Sequence, residues 1–202
     1  MGKALIGALS LLIFGAVAGS GLLLAGRIDV SADTPHSPLV YRLIEWVRER
    51  SIDHHSRGII PPADLSAAAR IRRGAGNYDA MCAGCHLSPG AGDSEIRKGL
   101  YPQPPDLSLS TAGAGESGRA DARRFWVIKH GIKASAMPAW AKAGMEDEDI
   151  WDLIAFLKIL PGLSMEQYRH RVASSEGHSH RGMVVHSHPV PETGTGHDAQ
   201  PH

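Results

Sequence analysis

The sequence is poor in cysteine and in aromatic residues, and it has no net charge. Two cysteines among 202 residues, Cys82 and Cys85, exclude a disulfide framework and a four-thiolate zinc or iron–sulfur site. Lysine plus arginine equal aspartate plus glutamate at 21 each, so no global positive field favours nucleic acid. Aromatic residues make up 5%, which is little for a conventional core, and a large planar cofactor would supply the missing apolar bulk.

The sequence also has no strand-like alternation of useful length, whereas several segments show helical spacing. Residues 66–82 predict a helix with Ser66 as its N-cap. Residues 119–129 predict a second helix, and residues 146–160 predict a third with acidic side chains in its first turn. We therefore expect an all-α fold.

The beginning of the chain is a long apolar segment. Residues 4–26 carry no charged side chain. The apolar part of a signal peptide is usually about 7–15 residues long, whereas a membrane-spanning helix needs about 20. We expect residues 1–27 to be an uncleaved anchor in the cytoplasmic membrane, with Lys3 inside and the remaining chain in the periplasm. Cleavage after Ala18, which would give a soluble periplasmic protein, is the alternative.

The remaining chain divides into three parts. We expect a linker at residues 28–65, a globular domain at 66–163 and a disordered tail at 164–202. The linker contains a short amphipathic helix, which would pack on the domain or on the membrane interface, with apolar positions at Leu39, Leu43, Ile44 and Val47. The tail is rich in histidine, and possible ligands for copper, zinc or nickel are His178, His180, His186 and His188.

The segment Cys82-Ala83-Gly84-Cys85-His86 has the spacing of covalent haem attachment. Two thiols on one helical turn can reach both vinyl groups of one porphyrin, and the next histidine then lies beneath the iron. A thioredoxin-like cysteine pair would instead need a strand before the motif and a helix that starts at it. The motif predicts one haem c, bound through Cys82 and Cys85, with His86 as the proximal iron ligand.

Three segments resemble the class I c-type cytochromes, in the order of that family. The first contains Gly74, Tyr78 and the haem motif, the second runs over residues 126–140, and the third over residues 148–157. Together they lie within residues 66–161, about half of the chain. The resemblance implies a small helical domain that wraps one haem, in which Gly74 and Tyr78 face the last helix.

The second axial ligand has three candidates. Met137 and Met145 offer a thioether, and His130 would give a haem with two histidine ligands. Pro138 imposes an extended backbone on Met137, which suits a ligand that is laid across the haem. The resemblance implies that Met137 is the distal ligand, and Met145 would then fill the core. A methionine ligand saturates the iron and raises its reduction potential.

These features together indicate an electron carrier rather than an enzyme. We expect single electrons to pass through one haem c between redox proteins of the membrane or periplasm, with no small-molecule substrate and no nucleic acid. The chain would act alone or as a subunit of an oxidoreductase complex. Two alternatives remain open: a haem enzyme or gas sensor with an open iron site, and a metal-handling protein that uses its histidine-rich tail.

Overall fold

All regular elements of the described chain are helices, which confirms the all-α fold. The computed structural model describes residues 2–109 and 118–176, and it contains no strand within these ranges. Its α-helices are α1 (Gly2–Leu24), α2 (Pro38–His55), α3 (Ala68–Met81), α4 (Ala83–His86), α5 (Glu95–Lys98), α6 (Gly118–His130), α7 (Asp147–Leu157) and α8 (Met165–Ala173). Short 3-10 helices occupy Trp140–Ala143 and Leu160–Gly162.

Helix α1 is apolar along its whole length and has no buried residue. Its mean hydropathy is 2.1, and within the described chain it is the one helix whose length and composition suit a membrane span. A signal sequence has the same properties. The helix ends at Leu24, and Gly26 after it has a φ of +63°, which is favourable for glycine. The N–H groups of Gly26 and Arg27 donate to the carbonyls of Leu23 and Leu22, and so satisfy the last turn.

The domain is centred on the crossing of α3 over α7, which is close because Gly74 has no side chain. A Cβ atom at Gly74 would lie 2.0 Å from the carbonyl oxygen of Asp152 and 2.9 Å from Cβ of Phe156. The predicted contact of Gly74 with the last helix is therefore confirmed. The fully buried side chains around this crossing are Tyr78, Ile150, Leu153, Ile154, Phe156 and Leu160.

The same crossing contains a buried ion-pair network that sequence analysis did not foresee. The carboxylate of Asp152 is only 3% exposed. It accepts two hydrogen bonds from Arg73, at 2.5 and 2.9 Å, and one from Arg70 at 3.0 Å. Arg70 also donates to Glu148 at 2.8 Å. Because the buried charge is paired and hydrogen-bonded, loss of one partner would leave a charge without compensation.

The start of α3 differs from the prediction. Ser66 is not its N-cap, since the helix begins at Ala68 and the capping position is occupied by Ala67, which has no capping oxygen. Residues 62–67 fold into turns instead, in which the N–H of Leu65 donates to Pro62 O and the N–H of Ala67 to Asp64 O. These turns shift the capping position from Ser66 to Ala67, by one residue.

The globular part continues beyond the predicted boundary at residue 163. Helix α8 begins with a capping box between Ser164 and Gln167, at 3.1 and 2.8 Å. Tyr168 is 4% exposed, and its hydroxyl donates to Asp79 of α3 at 2.7 Å. Assignment of residues 164–176 to a disordered tail was therefore wrong, because α8 has an apolar side to bury. The tail histidines 178–202 lie outside the described residues.

We predict that Gly74→Ala lowers the free energy of unfolding by about 3 kcal/mol, since the new methyl group meets the backbone of α7 rather than a movable side chain. Chemical denaturation of the full-length protein measures the change. Gly58→Ala is the matched control, because nothing lies within 4 Å of a Cβ at Gly58, and we expect it to change the free energy by less than about 0.5 kcal/mol. Equal effects of the two substitutions would contradict the close crossing.

Candidate functional site

The two cysteines lie on one turn of backbone at the end of α3. Helix α3 ends at Met81, Cys82 follows with φ −117°, and α4 begins at Ala83. The N–H groups of Cys85 and His86 donate to Cys82 O at 3.1 and 2.8 Å. Both cysteines are free and partly buried. The two sulfur-bearing residues and the histidine therefore project from a single tight turn.

The environment of the Cys82 thiol disfavours a thiolate. Burial, together with the neighbouring Cys85, raises the pKa of Cys82 to about 12. A redox-active or nucleophilic cysteine needs a lowered pKa, because the thiolate is the reactive form. No strand precedes the motif in the described chain. Both observations disfavour a thioredoxin-like pair.

His86 is held by the backbone of a following loop. Its Nδ1 lies 2.9 Å from the carbonyl oxygen of Pro105, and because a carbonyl can only accept, Nδ1 carries the proton. The lone pair is then on Nε2, which is the arrangement of a metal-ligating histidine. Burial lowers the pKa of His86, which favours the neutral imidazole. The backbone carbonyl that orients His86 is therefore that of Pro105.

The loop that supplies this carbonyl is held by hydrogen bonds to the cysteine turn and by hydrogen bonds within the loop. Leu107 N–H donates to His86 O at 3.1 Å, and Ser94 Oγ donates to Gly84 O at 2.7 Å. Arg97 donates to the carbonyl of Pro104 at 2.9 Å and to Asp93 at 2.7 Å. These bonds join residues 93–107 to the cysteine turn, so that His86 keeps one orientation. Sequence analysis missed Ser94, because a serine in a loop carries no local signal for such a contact.

Tyr78 connects the cysteine turn to the core. It is fully buried, and its hydroxyl donates to Leu87 O at 2.5 Å and lies 3.3 Å from His86 O. Burial raises the pKa of Tyr78, so the hydroxyl stays protonated and remains a donor. Leu87 has a φ of +64°, and the tyrosine helps to hold this unfavourable backbone. The sequence indicated only a packing role for Tyr78.

Met137 lies in an irregular segment between α6 and α7. Met137 is partly buried and packs against the apolar core. Cys82, in the cysteine turn, packs against the same core. The N–H of Ile132 donates to Met137 O at 3.2 Å, and the N–H of Met137 donates to Ser135 Oγ at 3.2 Å. The segment thus forms a small closed loop that presents Met137 to the core.

Gly131 makes this loop possible. Its φ is +66°, and a Cβ atom there would lie 2.7 Å from Met137 O and 2.8 Å from Ala139 N. The backbone of residues 137–139 therefore crosses the position that a side chain at Gly131 would occupy. Gly131 was part of the recognised segment, but its role in placing Met137 follows only from the structure.

The two other ligand candidates are placed differently. Met145 is 3% exposed and belongs to the hydrophobic core. His130 is exposed at the end of α6, and its ring lies 5.2 Å from the ring of Trp126. Among the described residues there is no group of three or more histidine, cysteine, aspartate or glutamate side chains that would hold a metal ion. His178, His180, His186 and His188 lie outside the described residues.

The comparisons with known proteins give a family match for the part of the chain that contains these residues. Residues 69–157 match the family model described as "Cytochrome C oxidase, cbb3-type, subunit III". The matched segment begins in α3, contains the cysteine turn and Met137, and ends with α7. No curated protein and no solved structure matches the chain.

We predict that Gly131→Ala lowers the free energy of unfolding by about 2–3 kcal/mol, because alanine is strained at this φ and its methyl group meets the Met137 backbone. Gly92→Ala is the control, since nothing lies within 4 Å of a Cβ at Gly92. Denaturation curves of the two variants measure the difference. If Gly131→Ala is as stable as the control, the loop around Met137 is not held as described.

Proposed function

Because residues 69–157 form a class I c-type cytochrome domain, we propose that the chain carries single electrons through one haem c bound covalently to Cys82 and Cys85. The observation that supports this most directly is the orientation of His86. Its Nδ1 proton is engaged by Pro105 O at 2.9 Å, and burial lowers the pKa of the ring, which favours its neutral form. The same turn carries both cysteines, which supports attachment of the whole motif to one haem.

The proposed axial ligands are Nε2 of His86 and the sulfur of Met137. His86 comes from the cysteine turn and Met137 from the connection between α6 and α7. Both segments are held by backbone hydrogen bonds, and Met137 packs against the same core as Cys82. Met145 is already buried in that core, which supports Met137 as the thioether ligand.

When bound, haem iron supplies a one-electron couple between its ferric and ferrous states. The protein has three tasks in such a transfer: to hold both ligands, to keep water away and to change shape little. The Pro105 carbonyl fixes the His86 ring, and Gly131 permits the close loop that carries Met137. No side chain needs to donate or accept a proton, so the site needs no general acid, base or nucleophile.

We further propose that residues 1–27 anchor the chain in the cytoplasmic membrane, with the haem domain in the periplasm. The length and hydropathy of α1 support an anchor, and a cleaved signal is the alternative. The matching family model carries the description of an oxidase subunit, which supports redox partners in a membrane complex. In such a complex the chain would pass electrons between other redox centres and would have no substrate of its own.

The choice between an electron carrier and an open haem site depends on Met137. We predict that Met137→Leu, which retains volume but removes the sulfur, lets the ferrous protein bind CO and lowers the reduction potential by on the order of 100 mV. Absorption spectra with CO and a redox titration measure both effects. The unchanged protein should remain low-spin and bind little CO.

Met145→Leu is the matched control, because it makes the same exchange in the core. We expect its haem spectrum and its potential to stay unchanged. If Met137→Leu has a normal spectrum and Met145→Leu has an altered potential, the distal iron ligand is Met145 and not Met137. Strong CO binding by the unchanged protein would favour a haem enzyme or gas sensor.

A further inference from the structure

Helix α2 exposes its apolar side to solvent. The stripe at positions 39, 43, 46 and 47 has helical spacing, and it faces away from the domain. Leu39 is 79% exposed, Leu43 59% and Trp46 57%. A surface helix of a globular protein normally buries its apolar side and exposes its polar side. The exposed apolar side therefore lacks a partner within the described residues.

The charged side of the same helix contacts the domain. Glu49 and Asp53 both form ion pairs with Arg123 of α6, and Arg119 lies 3.3 Å from Asp53. Ile52, between these acidic residues, is buried at 5% exposure. The helix is thus fixed to the domain through ion pairs and one apolar contact. The usual arrangement of an amphipathic helix is inverted.

The position of α2 along the chain favours a bilayer as the partner of its apolar side. The proposed anchor α1 ends at Leu24, and α2 begins at Pro38. The connecting residues 25–37 reach at most about 45 Å when extended, so α2 stays near the surface of any membrane that holds α1. Part of this connection is already fixed, since the N–H of His36 donates to the hydroxyl of Tyr101 at 3.0 Å.

The composition of α2 also suits a membrane interface. Trp46, on the apolar stripe, is a ring system of the kind enriched at headgroup level. The guanidinium of Arg50 lies 5.6 Å from the Trp46 ring, so a cation borders the apolar stripe. Long basic side chains in such positions can bury their stems and keep the charge in water. Apolar and aromatic residues on one side with charges on the other are typical of helices that lie in the interface plane.

We propose that α2 lies in the headgroup region of the bilayer that holds α1, with its apolar side towards the lipid. The ion pairs to Arg123 then join this interfacial helix to α6, and so hold the cytochrome domain at one orientation to the membrane. This inference rests on the proposed membrane anchor, but it does not depend on the haem.

The test uses introduced cysteines in the full-length haem-loaded protein, one chain per lipid nanodisc. Cys82 and Cys85 are occupied by the haem in the proposed protein, so the introduced cysteine is the free thiol. Leu43→Cys places it on the apolar side, and Glu45→Cys places it on the opposite side of the helix. Both positions are open to water in the structure, at 59% for Leu43 and 45% for the Glu45 side chain. The rate of modification by a charged, water-soluble maleimide is measured, relative to the unfolded protein.

We expect Leu43→Cys to react about tenfold more slowly than Glu45→Cys in nanodiscs, because lipid excludes the charged reagent. Equal rates would overturn the proposal. Protection of Leu43→Cys in native membranes but not in nanodiscs would also overturn it, and would assign the surface to a protein partner.

The same samples show whether a negative result concerns the interfacial helix or the proposed haem function. Intact mass shows whether residues 1–27 are retained, and the haem spectrum reports the cofactor independently. If the segment is removed, the comparison is made on lipid vesicles, where equal rates again overturn the interfacial helix. If no covalent haem is present, Cys82 and Cys85 are free thiols as well, so modification is read at residue 43 by peptide mass; protection there would support the interfacial helix and contradict the cytochrome function.

Discussion

The close crossing of α3 and α7 at Gly74 determines where every other part of the domain lies. A carbonyl of α7 occupies the space of the missing Gly74 side chain, 2.0 Å from where a Cβ would be. This proximity brings Arg73 onto Asp152 and buries Tyr78 between the two helices. Since Cys82 follows one turn after Tyr78, the position of the cysteine turn is fixed by the same contact.

The proposed ligands are then positioned from two sides of that crossing. On one side, Tyr78 binds the Leu87 carbonyl, and the Pro105 carbonyl orients His86. On the other side, Gly131 allows the backbone of Met137 to fold back against the end of α6. Backbone groups supply most of these contacts. Such rigid supports suit an electron carrier, because little has to rearrange when the charge on the metal changes.

The features that could be predicted from the sequence are those that short, local sequence patterns encode. The end of α3 at the cysteine motif, the acidic start of α7 and the small residue at Gly74 are each encoded within a few residues. Helix α8 was missed although Ser164 and Gln167 form a capping box three residues apart, which is a recognisable start signal. The polar composition of the residues that follow predicts disorder and so conceals this signal.

The remaining features depend on contacts between residues that are distant in sequence. The pairing of Asp152 with Arg70 and Arg73, of Tyr168 with Asp79 and of α2 with Arg123 needs the tertiary fold to exist first. Spacing alone could not show that α2 uses its charged side for the domain. The assignments of Cys82, Cys85, His86 and Met137 stay predictions.

A redox titration of the purified full-length protein, with the haem quantified per chain, tests the central claim most directly. We expect one covalent haem per polypeptide and a single one-electron wave, with about 59 mV for each tenfold change in the oxidised-to-reduced ratio. A chain without covalent haem, or a two-electron wave from a cysteine pair, would contradict it.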